Sequence, residues 1–260
     1  MTAAALRSCA LAVALAAGPG CAESAPTTQG PDEDRHPVRD GVSQRVLVFT
    51  RTEGFRHDAI PAAVGALREI AAVRGLDVRA TEDPAAFHPD SLADVAAVVF
   101  LLTSGDVLDG PAERALQTYV EGGGGWLGVH SAADTEYDWA WYGELVGAYF
   151  DSHPEVQQTA LDVAAADHPA TRGLPGRWTR TDEWYNFRAA PSGVTVLLRL
   201  DESSYRGGTM GPDHPAAWAH AVGQGRALYT ALGHTAESYA EPLFRAHLDG
   251  ALCWAARLGC

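Results

Sequence analysis

Four stretches of the chain place ionisable side chains directly behind apolar runs. Arg45-Val-Leu-Val-Phe49 leads into Thr50-Arg-Thr-Glu-Gly-Phe-Arg56-His57, and Val95 to Leu102 leads into Thr103-Ser104-Gly-Asp106. Trp126-Leu-Gly-Val129 leads into His130-Ser131-Ala-Ala-Asp134, and Arg226 to Leu232 into Gly233-His234-Thr-Ala-Glu237. Histidine beside carboxylate suits general acid–base catalysis or a divalent metal site. His130 and Asp134 are spaced to share one face of a first helical turn, so His130, Asp134 and His234 are candidate metal ligands. The metal signal is weak, because no His-x-x-x-His or Cys-x-x-Cys pattern accompanies them.

Gly128-Val-His130-Ser131-Ala resembles the sharp strand-to-helix turn that lifts a nucleophile above a sheet. Ser131 would then be the nucleophile of a serine hydrolase with His234 and a carboxylate, although Ala133 replaces the second glycine of that motif. A second cluster is aromatic and acidic: Asp138-Trp139-Ala-Trp141-Tyr142 and Asp182-Glu183-Trp184-Tyr185-Asn186-Phe187. Flat aromatic faces edged by carboxylates suit the C–H face and hydroxyls of a sugar.

These residues need a frame that gathers strand ends. Arg45 to Thr50 and Val95 to Leu102 are continuously apolar, as strands buried on both faces of a parallel sheet are. Between them Val64, Leu67, Ile70 and Ala71 recur at helical spacing, with Asp58 as the expected cap, Gly75 as the stop and Leu76 to Thr81 as a short strand. Gly110-Pro111 opens a further helix, four glycines at Gly122 to Gly125 end it, and Trp126 to Val129 is the next strand. Strand and helix in alternation predict a doubly wound, mostly parallel α/β sheet, whose ligands bind beyond the carboxyl ends of the strands. The second half adds strands at Val156 to Val163, Val194 to Leu200 and Arg226 to Leu232, with long connections, and a last helix from Glu241 to Arg257.

Composition narrows the chemistry. The chain has 260 residues, 47% hydrophobic and 20% charged, as a soluble globular protein does. All 19 basic residues are Arg, which removes Schiff-base, pyridoxal-phosphate and P-loop nucleotide chemistry. A formal net charge of −14 argues against nucleic acid as a partner.

Residues 1–21 read as a secretory leader, because Arg7 precedes an apolar run too short to span a bilayer. Cys21 stands where a bacterial lipoprotein is acylated, although Gly18 replaces the usual Leu, so a lipid anchor and plain secretion both stay open. Residues 22–43 read as a disordered tether, leaving 44–260 as one domain. Cys253 and Cys260 are left as either a disulfide or a buried thiol with a loose terminal one.

Further short motifs run through the domain in a fixed order: Gly54-Phe-Arg-His57, Thr81-Glu-Asp83, Gly147-Ala-Tyr-Phe150 with His153-Pro154, His168-Pro-Ala-Thr171, His214-Pro215 with Trp218, and Gly225-Arg226. With Gly128-Val-His130-Ser-Ala, Asp138-Trp-Ala-Trp-Tyr142, Asp182-Glu-Trp-Tyr185 and Gly233-His234, they make residues 45 to 257 resemble the ThuA-like (trehalose utilisation) family of the class I glutamine amidotransferase-like superfamily. The resemblance implies a flavodoxin-like sheet and a role in disaccharide catabolism on trehalose-like or 3-keto sugars. It also implies that the superfamily's nucleophilic cysteine falls at or beside His130, so thiol amidotransfer is lost, and that His234 with Glu237 occupies the place of its His and acid.

The expectation is an exported enzyme acting on a sugar by His and carboxylate acid–base or metal-assisted chemistry. His130, Glu183 and His234 would be catalytic, and Arg56, His57, Asp134, Trp139, Trp184 and Tyr185 would hold the substrate. A divalent metal is the one cofactor to consider, with no pyridoxal phosphate and no nucleotide. The expected partner is a small sugar, with the membrane reached only through a lipid on Cys21 and a homo-oligomer left open. The rival readings are a non-catalytic carbohydrate-binding or scaffolding domain and a serine hydrolase using Ser131.

Overall fold

The computed structural model describes residues 45–260. The expected leader with Cys21 and the expected tether lie outside the described residues. In chain order the elements are β1 (Arg45–Phe49), α1 (Ile60–Val73), β2 (Asp77–Thr81), α2 (Pro89–Leu92), β3 (Val95–Leu101), α3 (Gly110–Glu121), β4 (Gly125–Val129) and α4 (Ala140–Val146). There follow β5 (Phe150–Ser152), β6 (Gln157–Val163), β7 (Arg177–Asp182), β8 (Asn186–Phe187), β9 (Thr195–Leu200), β10 (His214–Val222), β11 (Gly225–Thr230) and α5 (Pro242–Ala255).

The main sheet runs β2-β1-β3-β4-β11-β10-β9-β6-β7, and β5 pairs with β8 apart from it. Neighbours from β2 to β11 are parallel. From β11 to β7 every pairing is antiparallel. The parallel strands therefore stand in the flavodoxin-like order, with its topological switch between β1 and β3.

The continuous apolar strands are buried on both faces, as predicted. Val46 and Val48 pack with Leu67 and Ile70 of α1 and Phe244 and Leu248 of α5. Leu47 and Phe49 point the other way, to Leu116 of α3 and Tyr142 and Leu145 of α4. Each fully buried large apolar side chain contributes about 1.5–3 kcal/mol, so the helices are held by these two layers rather than by their own propensity. A bidentate pair from Arg74 to Asp249, at 2.6 and 2.7 Å, ties the end of α1 to α5. Gly125 lets α5 approach β4, since a Cβ there would overlap the carbonyl of Ala255.

Some local expectations are corrected. Asp58 does not cap α1: the cap position is Ala59, without a side-chain bond, and Pro61 supplies the pre-set backbone of the first turn. Asp109 caps α3, accepting from the N–H of Ala112 at 2.9 Å. Strands β7 and β10 lie where the sequence was read as long connections. In β7 the inward side chains are Trp178, Arg180 and Asp182, so its alternation carries ion-pairing rather than apolar groups. In β10, Pro215 and a run of alanines hide the strand signal. Cys253 and Cys260 are joined as a disulfide, which closes the choice left open by the sequence.

Candidate functional site

The loop after β1 is fastened to the end of β3. The backbone N–H groups of Glu53 and Gly54 donate to the Ser104 carbonyl at 2.8 and 3.2 Å, and the Ser104 hydroxyl donates to the Phe55 carbonyl at 2.7 Å. This pinning turns His57 inward and leaves Phe55 66% exposed beside it, their rings edge to face with centroids 4.8 Å apart.

β4 ends on His130, which opens a 3-10 turn with φ +53°. That left-handed geometry costs a non-glycine residue roughly 1–2 kcal/mol, so its neighbours must hold it. They do so from β11 and beyond: His130 Nδ1 donates to the Ala231 carbonyl at 2.8 Å, and the Tyr229 hydroxyl donates to the His130 carbonyl at 2.7 Å. The Tyr185 ring lies against the imidazole, centroids 4.3 Å apart.

The ends of β7 and β11 are locked by one carboxylate. Buried Asp182 accepts the backbone N–H of Glu183 at 3.1 Å, of Gly233 at 2.8 Å and of His234 at 3.0 Å, and pairs with Arg180 at 3.1 Å. Gly233 takes φ +108°, which only glycine adopts without strain, and so turns His234 toward Glu183.

Glu183 Oε2 therefore lies 3.3 Å from His130 Nε2 and 3.2 Å from His234 Nδ1, and the two ring nitrogens are 3.2 Å apart. The ring of His57 stands edge-on to both imidazoles, centroids 4.9 and 5.0 Å away. Glu183 Oε1 faces outward to His153 Nδ1 at 3.0 Å. His130 is fully buried, whereas the side chains of His234 and His153 are 23% and 42% exposed, so the cluster opens to solvent on their side.

Charge in this cluster is set by burial and by mutual contact. Desolvation, reinforced by the neighbouring His130 and His234, pushes His57 down to about 3, so it is a neutral ring at ordinary pH. For Glu183 burial works upward, but the hydrogen bonds from His130 and His234 outweigh it and hold the carboxyl well below its usual range. Burial lowers His234, yet the hydrogen bond to Glu183 leaves it raised overall.

Of the predicted site residues, His57, His130, Glu183 and His234 come together, and Tyr185 packs beneath them. Asp134 does not join: the left-handed start and 3-10 winding break the helical spacing, and its Oδ1 accepts the Tyr137 hydroxyl at 2.6 Å. Asp134 therefore lies outside the group of His57, His130, Glu183 and His234, whose ligand atoms lie within 4.8 Å of one another and could hold a metal ion. Trp184 is a core residue, fully buried with its indole N–H donating to the Gln157 carbonyl at 2.8 Å. Trp139 packs on Trp141, centroids 4.9 Å apart, and Arg56 turns outward to Glu82 at 2.7 Å. Glu237 is exposed, and the acid that His234 meets is Glu183. Ser131 is fully buried with its hydroxyl 3.4 Å from His57 Nδ1 rather than near His234. Sequence reading assigned no role to His153 or Asp182. His153 lies in a motif noticed for its order, and only the pairing of β5 with β8 brings it to Glu183.

A flavodoxin-like sheet with a His-and-carboxylate cluster beyond its strand ends defines the class of this protein as an α/β protein whose candidate site gathers residues that follow β1, β4, β7 and β11. The trehalose utilisation (ThuA) family model matches residues 45–255, and the chain belongs to that family. A ThuA-like protein from Bacteroides uniformis has a similar structure, with a TM-score of 0.70, 21% identity, and coverage of 85% of this chain and 95% of that one. Another, from Parabacteroides merdae, has a TM-score of 0.68 at 20% identity over 82% of this chain and 90% of that one. A β-galactosidase from Bacillus circulans sp. alkalophilus shares the fold over 81% of this chain and 31% of its own, with a TM-score of 0.55 and 14% identity. No curated protein matches the chain.

Proposed function

We propose that this protein is a sugar-utilisation enzyme that acts on a trehalose-like or 3-keto disaccharide, with the reaction centred on the Glu183 cluster. The observation that carries the reading is the pair formed by His153 and Glu183. His153 Nδ1 faces two acceptors, Glu183 Oε1 and the Pro154 carbonyl, each at 3.0 Å. That nitrogen therefore donates, which leaves Nε2 as the ring position available to serve as a base at the open side of the cluster. A carboxylate orienting an imidazole in this way is the arrangement that general acid–base catalysis needs. Beneath it, His57, His130 and His234 give a buried polar floor for the hydroxyl or keto oxygens of a sugar, and exposed Phe55 offers a flat face to its C–H groups.

The family's description as trehalose utilisation supports the substrate class. The disulfide between Cys253 and Cys260 supports export to an oxidising compartment. No described helix is long and apolar enough to cross a membrane.

The test is an assay of the purified protein with trehalose, maltose and their 3-keto derivatives, with products followed by nuclear magnetic resonance. Wild type should convert at least one of them, and His153→Gln should lower kcat about 100-fold or more with KM little changed. If no sugar is converted while disaccharide binds wild type and His153→Gln equally, the protein is a carbohydrate-binding module instead.

A further inference from the structure

The geometry points to a single divalent transition-metal ion, of the zinc, cobalt, nickel, iron or manganese class, held by His130 Nε2, His234 Nδ1 and Glu183 Oε2, with His57 as the fourth ligand. This deepens the reading of the sugar site by naming what its floor holds.

Ala231 offers only a carbonyl oxygen to His130 Nδ1, at 2.8 Å, so that nitrogen is the donor and Nε2 is the ring position turned into the cluster. That nitrogen faces Glu183 Oε2 at 3.3 Å and His234 Nδ1 at 3.2 Å, and the third side of the triangle is again 3.2 Å. No distribution of protons serves all three contacts. A proton on each nitrogen gives Glu183 two donors but sets two N–H groups against each other, and fewer protons leave lone pairs in opposition. One cation between the three atoms satisfies every lone pair together.

The size of the triangle fits. With ligand bonds of ~2.0–2.1 Å, tetrahedral coordination spaces its donor atoms about 3.3–3.4 Å apart. The ligand atom of His57 lies within 4.8 Å of the other three, close enough to complete the set by a small side-chain adjustment. Three imidazole nitrogens and one carboxylate oxygen select borderline transition ions over magnesium or calcium, which demand oxygen.

The surroundings are those of a ligand shell. His130 gives its remote N–H to a backbone carbonyl, as metal-bound histidines do, and Glu183 keeps its second oxygen on His153. Asp182 fixes the backbone of both Glu183 and His234. With Glu183 Oε2 engaged by the cation, Oε1 still orients His153, so metal and base act side by side.

The experiment needs no sugar. Untagged protein is stripped with chelator, checked by circular dichroism, and titrated calorimetrically with zinc and cobalt chlorides. Wild type should bind one equivalent per chain, and the cobalt form should show visible d–d absorption of imidazole-ligated ion. His130→Asn, which retains a donor for Ala231, and Glu183→Gln should each weaken binding about 100-fold or more while keeping the wild-type spectrum of the fold. Glu113→Gln, in the separate acidic group of Asp106, Glu113 and Glu136, should bind as wild type does. Absence of stoichiometric binding, equal binding by His130→Asn or Glu183→Gln, or loss of it only in Glu113→Gln overturns the proposal. Any of these outcomes leaves the sugar assay standing, and failure of the sugar assay with metal bound leaves the ion standing.

Discussion

Asp182 Oδ1 accepts the backbone N–H of His234 at 3.0 Å, so the last residue of an edge strand sets the direction of a histidine that follows a central one. The same carboxylate holds Glu183, Gly233 and the buried Arg180, and the two ends of the cluster depend on it together. Asp182→Ala should therefore cost about 3–5 kcal/mol in denaturant unfolding, because three backbone N–H groups lose their acceptor and buried Arg180 keeps only Glu241 as a counter-charge. The milder Asp182→Asn should retain the fold while losing most activity. Equal stability of Asp182→Ala and wild type would remove the clamp from the account.

His130→Asn separates shape from chemistry. Asparagine tolerates positive φ and can present its amide N–H to Ala231, but it has no equivalent of Nε2. Turnover should fall about 100-fold or more, with the melting temperature within a few degrees of wild type. Activity close to wild type would show that His130 only supports the turn.

Phe55 is exposed and bonded through its backbone, so Phe55→Ala should change stability by no more than about 0.5 kcal/mol. Its effect belongs in binding: KM for the sugar should rise about 3–10-fold with kcat little changed, as loss of roughly 1 kcal/mol of face contact requires. An unchanged KM would take Phe55 out of the substrate path.

Acid sensitivity should come in part from outside the site. His247 is fully buried on α5, its Nδ1 bonded to the Ala170 carbonyl at 2.8 Å, and burial pushes it down to about 4. A folded value below the unfolded one of 6.5 means that the unfolded chain binds the extra proton first. The associated stability is complete above about pH 6.5 and is lost as pH falls toward about 4, by up to about 3 kcal/mol. His247→Asn should flatten that part of the stability profile, measured by urea unfolding at stepped pH, and an unchanged slope would place the sensitivity elsewhere.

The disulfide closes a short loop at the end of α5, where Cys253 is buried and Cys260 exposed. Cys260→Ser should lower stability by about 2 kcal/mol, the entropy of so short a loop, without altering turnover. A larger loss, or loss of activity, would mean that the end of α5 supports the site.

Much of the fold was legible because burial writes itself into periodicity. β1 from Val46 onward and the whole of β3 are apolar since helices cover both faces, and α1 shows its stripe at Leu67 and Ile70 for the same reason. β7 was not legible, because its inward positions include Arg180 and Asp182, which pair with each other and find their further partners Glu241, Gly233 and His234 on other elements. Trp184 reads as a sugar platform on residue type, and its full burial in the core decides against that, whereas Trp139 stays half-buried against Trp141.

What the sequence determined by itself is the parallel α/β frame, the family, and the supply of histidine and carboxylate behind the strands. These follow from local pattern and from motifs in fixed order. What only the tertiary structure decided is which of those side chains meet. Glu183 rather than Asp134 stands between His130 and His234, because a left-handed turn at His130 breaks the helical spacing and Asp182 carries the end of β7 across to the end of β11. Such meetings depend on backbone direction at strand ends and on hydrogen bonds between residues far apart in the chain, and neither is encoded in spacing.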